Sequence, residues 1–227
     1  MEKVLIKAQV SRTWGWTFLP SNIVYDAKLI VFALGMKGFS VLQSSLHWEW
    51  SIQYGTTLKM DMSYTPTTNF ETFPLPIKST GLENIGEHYY THRQSIMQTR
   101  QEGLTKTYNR FHNPKEIAAD IKKLRELHIA MDYTVAEAYG WQDLKLQHGF
   151  HDTKQGLRYT ISEAARREVL DRLLRLNHER YAEEVRQGLH DKKGGKAKVQ
   201  RDEAVADGEF SLAAGDGGTK KRGKRGK

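Results

Sequence analysis

The sequence predicts an α+β fold, with a small β-rich N-terminal domain, a helical C-terminal domain and a disordered basic tail. Three observations predict this order. Short runs of β-branched and aromatic residues dominate the first third of the chain. Beyond residue 80, apolar residues recur at helical spacing. After residue 190 the chain has few large apolar residues and clustered lysines, which is typical of disorder. Because three prolines interrupt residues 65–80, we expect domains at residues 1–78 and 79–190 and a tail at 191–227.

The N-terminal domain is predicted to hold four strands and one helix. Residues 4–6, 17–19 and 29–32 are rich in strand-forming residues, and Pro20 and Gly35 mark turns between and after them. Residues 37–54 form a predicted helix that Gly55 can end, because apolar side chains recur every three or four residues at Phe39, Leu42, Leu46 and Trp50. Residues 56–64 alternate apolar and polar side chains, which predicts a half-buried strand.

The C-terminal domain is predicted to hold three helices, at residues 85–101, 114–139 and 162–187. Asn113 and Pro114 are suited to begin the second helix, and Glu116 completes a capping box. One apolar stripe runs along this helix, and His128 lies on the stripe as a predicted core histidine. Ser162 caps the third helix. Residues 142–161 form a long connection for which the pattern predicts no definite element.

Net charge alone does not identify a nucleic-acid-binding protein. Of the formal charge of +8, residues 192–227 supply +6, with 11 basic and 5 acidic side chains, so the rest of the chain carries +2. The chain has no cysteine, which excludes disulfides and thiolate metal sites. Its longest apolar run, residues 29–34, is too short to cross a bilayer, and no signal peptide is evident. We therefore expect a protein of the cytoplasm that has no membrane partner.

Residues 102–114 (EGLTKTYNRFHNP) are the most informative stretch of the chain. From Gly103 to Pro114 there is no acidic residue, while Lys106, Asn109 and Arg110 offer donors. This composition predicts a loop that contacts phosphate and then begins a helix, whose dipole favours an anion. The alternative is an ordinary basic loop between two helices, and composition alone favours that alternative.

A wider pattern of spaced motifs surrounds this stretch. In chain order the motifs are VLQSSLH at 41–47, YGTTLK at 54–59, YTPTTNFETFPLP at 64–76, the residue Arg93, LRELHIAMD at 124–132 and AYGWQD at 138–143. Together they resemble the C-terminal region of large single-chain type II restriction-modification enzymes of the MmeI-like group and of related adenine-specific DNA methyltransferases. The resemblance runs from about residue 4 to about residue 185, and its N-terminal part is similar to the target-recognition domain that reads DNA sequence.

The catalytic motifs of that group are missing from this chain. Adenine methylation in such enzymes uses an Asp/Asn-Pro-Pro-aromatic loop, and the chain has no Pro-Pro and no Gly-rich turn for S-adenosylmethionine. Their nuclease half uses Glu-x-Lys, which is also absent. We therefore expect no catalytic, cofactor-binding or metal-binding residues here. S-adenosylmethionine is expected only on a catalytic domain or partner outside this chain.

Candidate DNA contacts are cations and amides that we expect to face outward. Arg12 lies at a predicted loop tip beside Trp14, and Lys59 alternates away from apolar neighbours in its strand, although a solvated strand face explains Lys59 equally well. In the helical half, backbone contacts are predicted for Arg93, Arg100, Lys106, Asn109 and Arg110. Four tryptophans are expected in the core or at a subunit contact, at positions 14, 16, 48 and 50.

The preferred hypothesis is a double-stranded DNA recognition module of a restriction-modification system, a subunit or fragment that directs a methyltransferase or endonuclease partner to its site. An alternative is a helical protein-interaction module, for which DNA binding is incidental. The chain is also compatible with a non-functional remnant of a truncated methyltransferase gene. A further alternative assigns all DNA binding to the basic tail, without sequence preference.

Overall fold

The computed structural model describes residues 2–58 and 61–190. These residues form six α-helices and eight strands: four strands come first, two helices and two further strands follow, and three helices, a late hairpin and a last helix complete the order. The strands are β1 (Lys3–Ala8), β2 (Val10–Ser11), β3 (Thr17–Pro20), β4 (Leu29–Phe32), β5 (Thr56–Leu58), β6 (Asp61–Ser63), β7 (Gly149–Thr153) and β8 (Gly156–Thr160). The helices are α1 (Met36–Gln43), α2 (Ser45–Tyr54), α3 (Leu82–Arg100), α4 (Leu104–Phe111), α5 (Ala119–Ala138) and α6 (Glu163–Arg186), and a short π-helix spans Pro66–Phe70.

The N-terminal strands form two small antiparallel sheets. In the first sheet β1 is central, between β3 and β4, and it pairs Leu5 with both Phe18 and Phe32. Leu5 is fully buried because the central strand has a neighbour on each side and helices against one face. The second sheet has the order β2-β6-β5. The late hairpin β7-β8 is a separate two-stranded sheet, in which Phe150 pairs with Tyr159.

The predicted α+β class and most predicted elements are confirmed. The three first strands lie where the composition placed them, at β1, β3 and β4. Helix α3 covers the predicted helix at 85–101, and α6 covers the one at 162–187. Ser162 caps α6 as predicted, because its side chain accepts a hydrogen bond from the backbone N–H of Ala165 at 3.2 Å. The tail at 191–227 lies outside the described residues.

Several predicted boundaries are wrong, each for a local reason. The helix predicted at 37–54 is two helices, because Ser44 is extended and caps α2 instead of continuing α1. The strand predicted at 56–64 contains both β5 and β6, which pair with each other. The helix predicted to begin at Pro114 begins at Ala119. The side chain of Asn113 accepts a hydrogen bond from the backbone N–H of Lys115, which forms a turn in place of a helix cap.

The predicted phosphate loop is also wrong in its local structure. Residues 104–111 form helix α4, and Gly103 is the N-cap of that helix rather than the end of α3. Helix α3 ends instead at Gln101, a non-glycine residue with φ of 48°. The connection from α4 to α5 is held by Arg125, whose guanidinium donates to four backbone carbonyls of residues 110–116.

Two apolar clusters form the core, and each draws residues from both sides of position 78. One cluster joins Trp50 of α2 to Val135 of α5 and Val169 of α6. The other joins Leu5 and Trp16 to Tyr89 of α3 and Leu124 of α5. The β-rich and helical parts therefore share their cores, and the predicted domain boundary at residue 78 stays a prediction. None of the helices in the described ranges has the length and apolar character needed to cross a membrane.

Candidate nucleic-acid interface

A short tethered loop carries Arg12 at its tip. Arg12 is exposed, whereas Trp14 just beyond it is buried in the core. Ser11 closes the loop, since its hydroxyl accepts from the backbone N–H of Thr13 at 3.0 Å. Buried Lys7 also donates to the Thr13 carbonyl, at 3.3 Å. These bonds fix the loop, so the guanidinium of Arg12 projects from a rigid base.

The hairpin β7-β8 lies against the same region and brings a second arginine, Arg158, beside this loop. The hairpin is anchored through Tyr159, whose backbone N–H donates to His112 Nδ1 at 3.2 Å. Arg125 lies over the rings of Phe150 and Tyr159, at 5.0 Å and 5.3 Å from their centroids. Arg158 is half-buried on this hairpin. Since residues 142–161 carried no predicted element, Arg158 was not among the predicted contacts.

Arg12 and Arg158 flank one pocket, which also contacts α2 and the end of α4. Its wall is mostly aromatic, and it has no acidic residue. The lining residues are Arg12, Trp14, Gln43, Ser45, Trp48, Tyr108, Phe111, His112, His128, Gln155, Arg158, Tyr159 and Thr160. Trp14, Trp16 and Trp50 are buried as predicted, while Trp48 is only half-buried and lines this pocket.

The pocket is electropositive. Burial and then the charge of Arg12 lower the pKa of Arg158, and both arginines line this pocket. Burial, followed by Arg158, also lowers the pKa of His112 to about 3, so this histidine is neutral at pH 7. Among the described residues, neither Arg12 nor Arg158 forms an ion pair. Two close cations without a carboxylate form a site suited to an anion.

A buried polar network supports the pocket from behind. Asp132 is fully buried and accepts from the backbone N–H of Ser45 at 2.8 Å and interacts with His148 Nε2 at 2.8 Å. His128 bonds to the Ser45 hydroxyl at 3.0 Å. Burial by itself would raise the pKa of Asp132, but these neighbours hold it below its usual value. The prediction that His128 is a core histidine is therefore confirmed.

Arg93, a predicted DNA contact, is a core residue instead. It is fully buried, and its guanidinium donates to the Trp16 carbonyl at 2.6 Å, to Tyr108 Oη at 2.9 Å and to Gln43 Oε1 at 3.2 Å. Four aromatic rings surround it, at 5.3 to 5.9 Å from their centroids. The prediction for Arg93 is wrong because the face of α3 that packs on other helices buries this cation among acceptors and aromatic rings.

Two further predicted contacts are engaged by carboxylates. Arg100 forms a bidentate pair with Asp120, at 2.7 Å and 2.8 Å. Arg110 lies between two carboxylates, at 3.0 Å from Glu102 and 2.9 Å from Glu116. The stretch without acidic residues thus acquires acidic partners from both of its flanks, which lowers the positive potential expected there. Arg100 and Arg110 remain partly exposed.

Lys106 and Asn109 are exposed on α4. Tyr108, Phe111 and His112 line the pocket, whereas Asn109 is not among its lining residues. Lys106 faces away from the core, where no ion pair with another described residue forms. The remaining predicted contact, Lys59, lies outside the described residues. The assignments of Arg12, Lys59, Lys106 and Asn109 to DNA stay predictions.

Comparison with known proteins confirms the resemblance found in the motifs. The family of MmeI target recognition domains matches residues 15–77. A solved structure of the type IIL restriction-modification enzyme MmeI in complex with DNA has the same fold over 79% of this chain, with a TM-score of 0.54 and 16% sequence identity. That alignment covers 21% of the MmeI chain, so this chain spans about a fifth of the length of the enzyme it matches. None of the curated proteins compared with the chain matches it.

Proposed function

We propose, from the match of residues 15–77 to MmeI target recognition domains, that this chain is a sequence-specific DNA recognition module of a restriction-modification system. That match is the observation that carries the proposal. The fold shared with MmeI, which was solved in complex with DNA, supports it over a longer stretch of the chain. The exposed cations around the pocket supply the positive surface that phosphate contacts require.

The proposed module reads DNA and leaves the chemistry to another polypeptide or domain. The methyltransferase and nuclease motifs are absent from the sequence, and the alignment covers only 21% of MmeI. In this proposal S-adenosylmethionine binds to a partner methyltransferase, and this chain positions that partner on a specific duplex in the cytoplasm. Phosphate contacts would set the register of the complex, and side chains at base edges would read the sequence.

The experiment is selection of duplex DNA from a randomised library by the purified full chain. We expect enrichment of one short sequence, because a target recognition domain discriminates between base pairs by about 1–3 kcal/mol for each good contact. A matched variant carries glutamine at every Lys, Arg, Asp and Glu of residues 192–227, which removes the tail's net charge of +6 without shortening the chain. This variant should select the same sequence with lower affinity. Binding without sequence enrichment, or loss of all binding in the variant, contradicts the proposal.

A second candidate, a protein-interaction module, is favoured by the far end of α6. Tyr181 and Val185 lie one turn apart on α6, Leu189 lies just beyond the last residue of the helix, and the three are 55%, 49% and 68% exposed. An apolar stripe of this kind on an isolated helix end is typical of a surface that contacts another protein. Affinity purification with the full chain and with the variant Tyr181→Ser/Val185→Ser distinguishes the two roles. If the full chain recovers a methyltransferase and the variant does not, the apolar residues at the end of α6 form a docking surface. If the variant recovers as much as the full chain, this surface is not the docking site.

A further inference from the structure

The pocket between the Arg12 loop and the hairpin β7-β8 has the features of a specific anion site. Two guanidiniums flank it, both without a carboxylate partner in the described part of the chain. Elsewhere in the molecule, the arginines that lie beside α4 are neutralised by Asp120, Glu102 and Glu116. The arginines beside α4 are therefore paired with carboxylates, whereas the two arginines of this pocket are not.

Buried donors behind the arginines point to the same class of ligand. Trp14 and Thr160 line the pocket and are 8% and 5% exposed. The indole N–H of Trp14 and the hydroxyl of Thr160 have no hydrogen-bond partner among the described residues. Leaving a buried donor unpaired is unfavourable, so a ligand oxygen that accepts from these groups recovers that free energy on binding. Both groups can donate to an oxyanion.

We propose that Arg12 and Arg158 together hold one phosphate group of a DNA backbone, with Trp14 and Thr160 as the donors behind them. This inference rests on the proposed function, and it adds the hairpin β7-β8 to the DNA interface. A phosphodiester suits the site because a planar guanidinium can bind two of its oxygens at once. Because both arginines line the same pocket, we assign them to one phosphate rather than to two.

The first test measures binding of the full chain to its selected duplex as a function of salt concentration. Each bound phosphate contributes about 0.9 to the slope of log K against log salt. If the arginines share a phosphate, Arg12→Gln/Arg158→Gln should lower the slope by about 0.9, and Arg158→Gln alone by less. Each single variant should weaken binding by roughly tenfold, the value of one charge-assisted hydrogen bond. A fall of about 1.8 in the double variant contradicts the shared site, and an unchanged slope contradicts any phosphate contact.

A matched control removes the same charge elsewhere. Arg175 and Arg186 are 63% and 73% exposed on α6, away from the pocket. The variant Arg175→Gln/Arg186→Gln should leave the slope unchanged, and a fall equal to that of the pocket variant would overturn the assignment. Urea denaturation confirms that each variant is folded before its binding is compared.

A second measurement separates this inference from the proposed function. Inorganic phosphate is titrated into the full chain while the side-chain Nε–H signals of Arg12 and Arg158 are followed by NMR. Shifts in both signals support the site even if no duplex sequence is selected. The shifts should be smaller in Thr160→Val, because this variant lacks one of the proposed donors. Duplex selection without these shifts and without the change in slope overturns the site and leaves the proposed function standing. The same shifts with free phosphate but an unchanged slope with DNA assign the site to a free anion and overturn the DNA contact.

Discussion

Replacement of Arg93 by Met tests whether this arginine holds the two halves of the fold together. The guanidinium of Arg93, on α3, donates to the Trp16 carbonyl before β3, to Gln43 on α1 and to Tyr108 on α4. It is fully buried, and its Nε has no partner among the described residues. Met fills a similar volume without polar groups, so the variant removes the donors and leaves the packing nearly intact.

The expected loss of stability in Arg93→Met follows from the hydrogen bonds that are removed and from the burial of the guanidinium charge. Three charge-assisted hydrogen bonds contribute about 1.5–3 kcal/mol each, and relief of the desolvation of the cation offsets part of that loss. We expect a net loss of about 3 kcal/mol in the free energy of unfolding, near the value for breaking other buried charge interactions. With a urea dependence of about 2 kcal/mol/M, the midpoint should fall by roughly 1.5 M.

Urea denaturation followed by tryptophan fluorescence measures this shift in the full chain. Arg175→Met is the matched control, since Arg175 is 63% exposed and its loss should change stability by less than about 0.5 kcal/mol. A midpoint for Arg93→Met within roughly 0.3 M of the unaltered chain would refute the reasoning. A change in DNA affinity at unchanged stability would restore Arg93 to the interface, as the sequence pattern first indicated.

Two further predictions concern stability. Burial, and then the charge of Lys7, lower the pKa of His47 to about 3, so the folded protein holds this histidine neutral. The contribution of His47 to the free energy of unfolding is fully present above the unfolded pKa of about 6.5. It decreases as pH falls from there towards 3, and at pH 5 the decrease is about 2 kcal/mol. In urea denaturation between pH 7 and 5, the free energy of unfolding of His47→Gln should therefore lack this decrease. If the variant and the unaltered chain lose the same stability over this range, His47 is not held neutral. Ser162→Ala should cost about 1 kcal/mol because it removes the cap of α6, whereas Ser162→Gly should cost only a few tenths; equal losses would count against capping.

The local elements were largely predictable because they depend on neighbours in sequence. Strands β1, β3 and β4 follow from runs of apolar and β-branched residues, and α3 and α6 follow from helical periodicity and from the cap at Ser162. The hairpin β7-β8 escaped prediction because its strands contain no run of apolar and β-branched residues and because contacts with His112 and Arg125 anchor it. Those contacts join residues that are far apart in the sequence.

The sequence by itself determined the α+β class, the family resemblance and the absence of catalytic motifs, since each depends on residue identities and local spacing. Only the tertiary structure decided which cations are free to contact an anion. The sequence predicted DNA contacts for Arg93, Arg100 and Arg110, but folding buries the first and pairs the others with carboxylates. Folding also brings Arg158 beside Arg12. Burial and ion pairing depend on distances in space, and a pattern along the chain does not contain those distances.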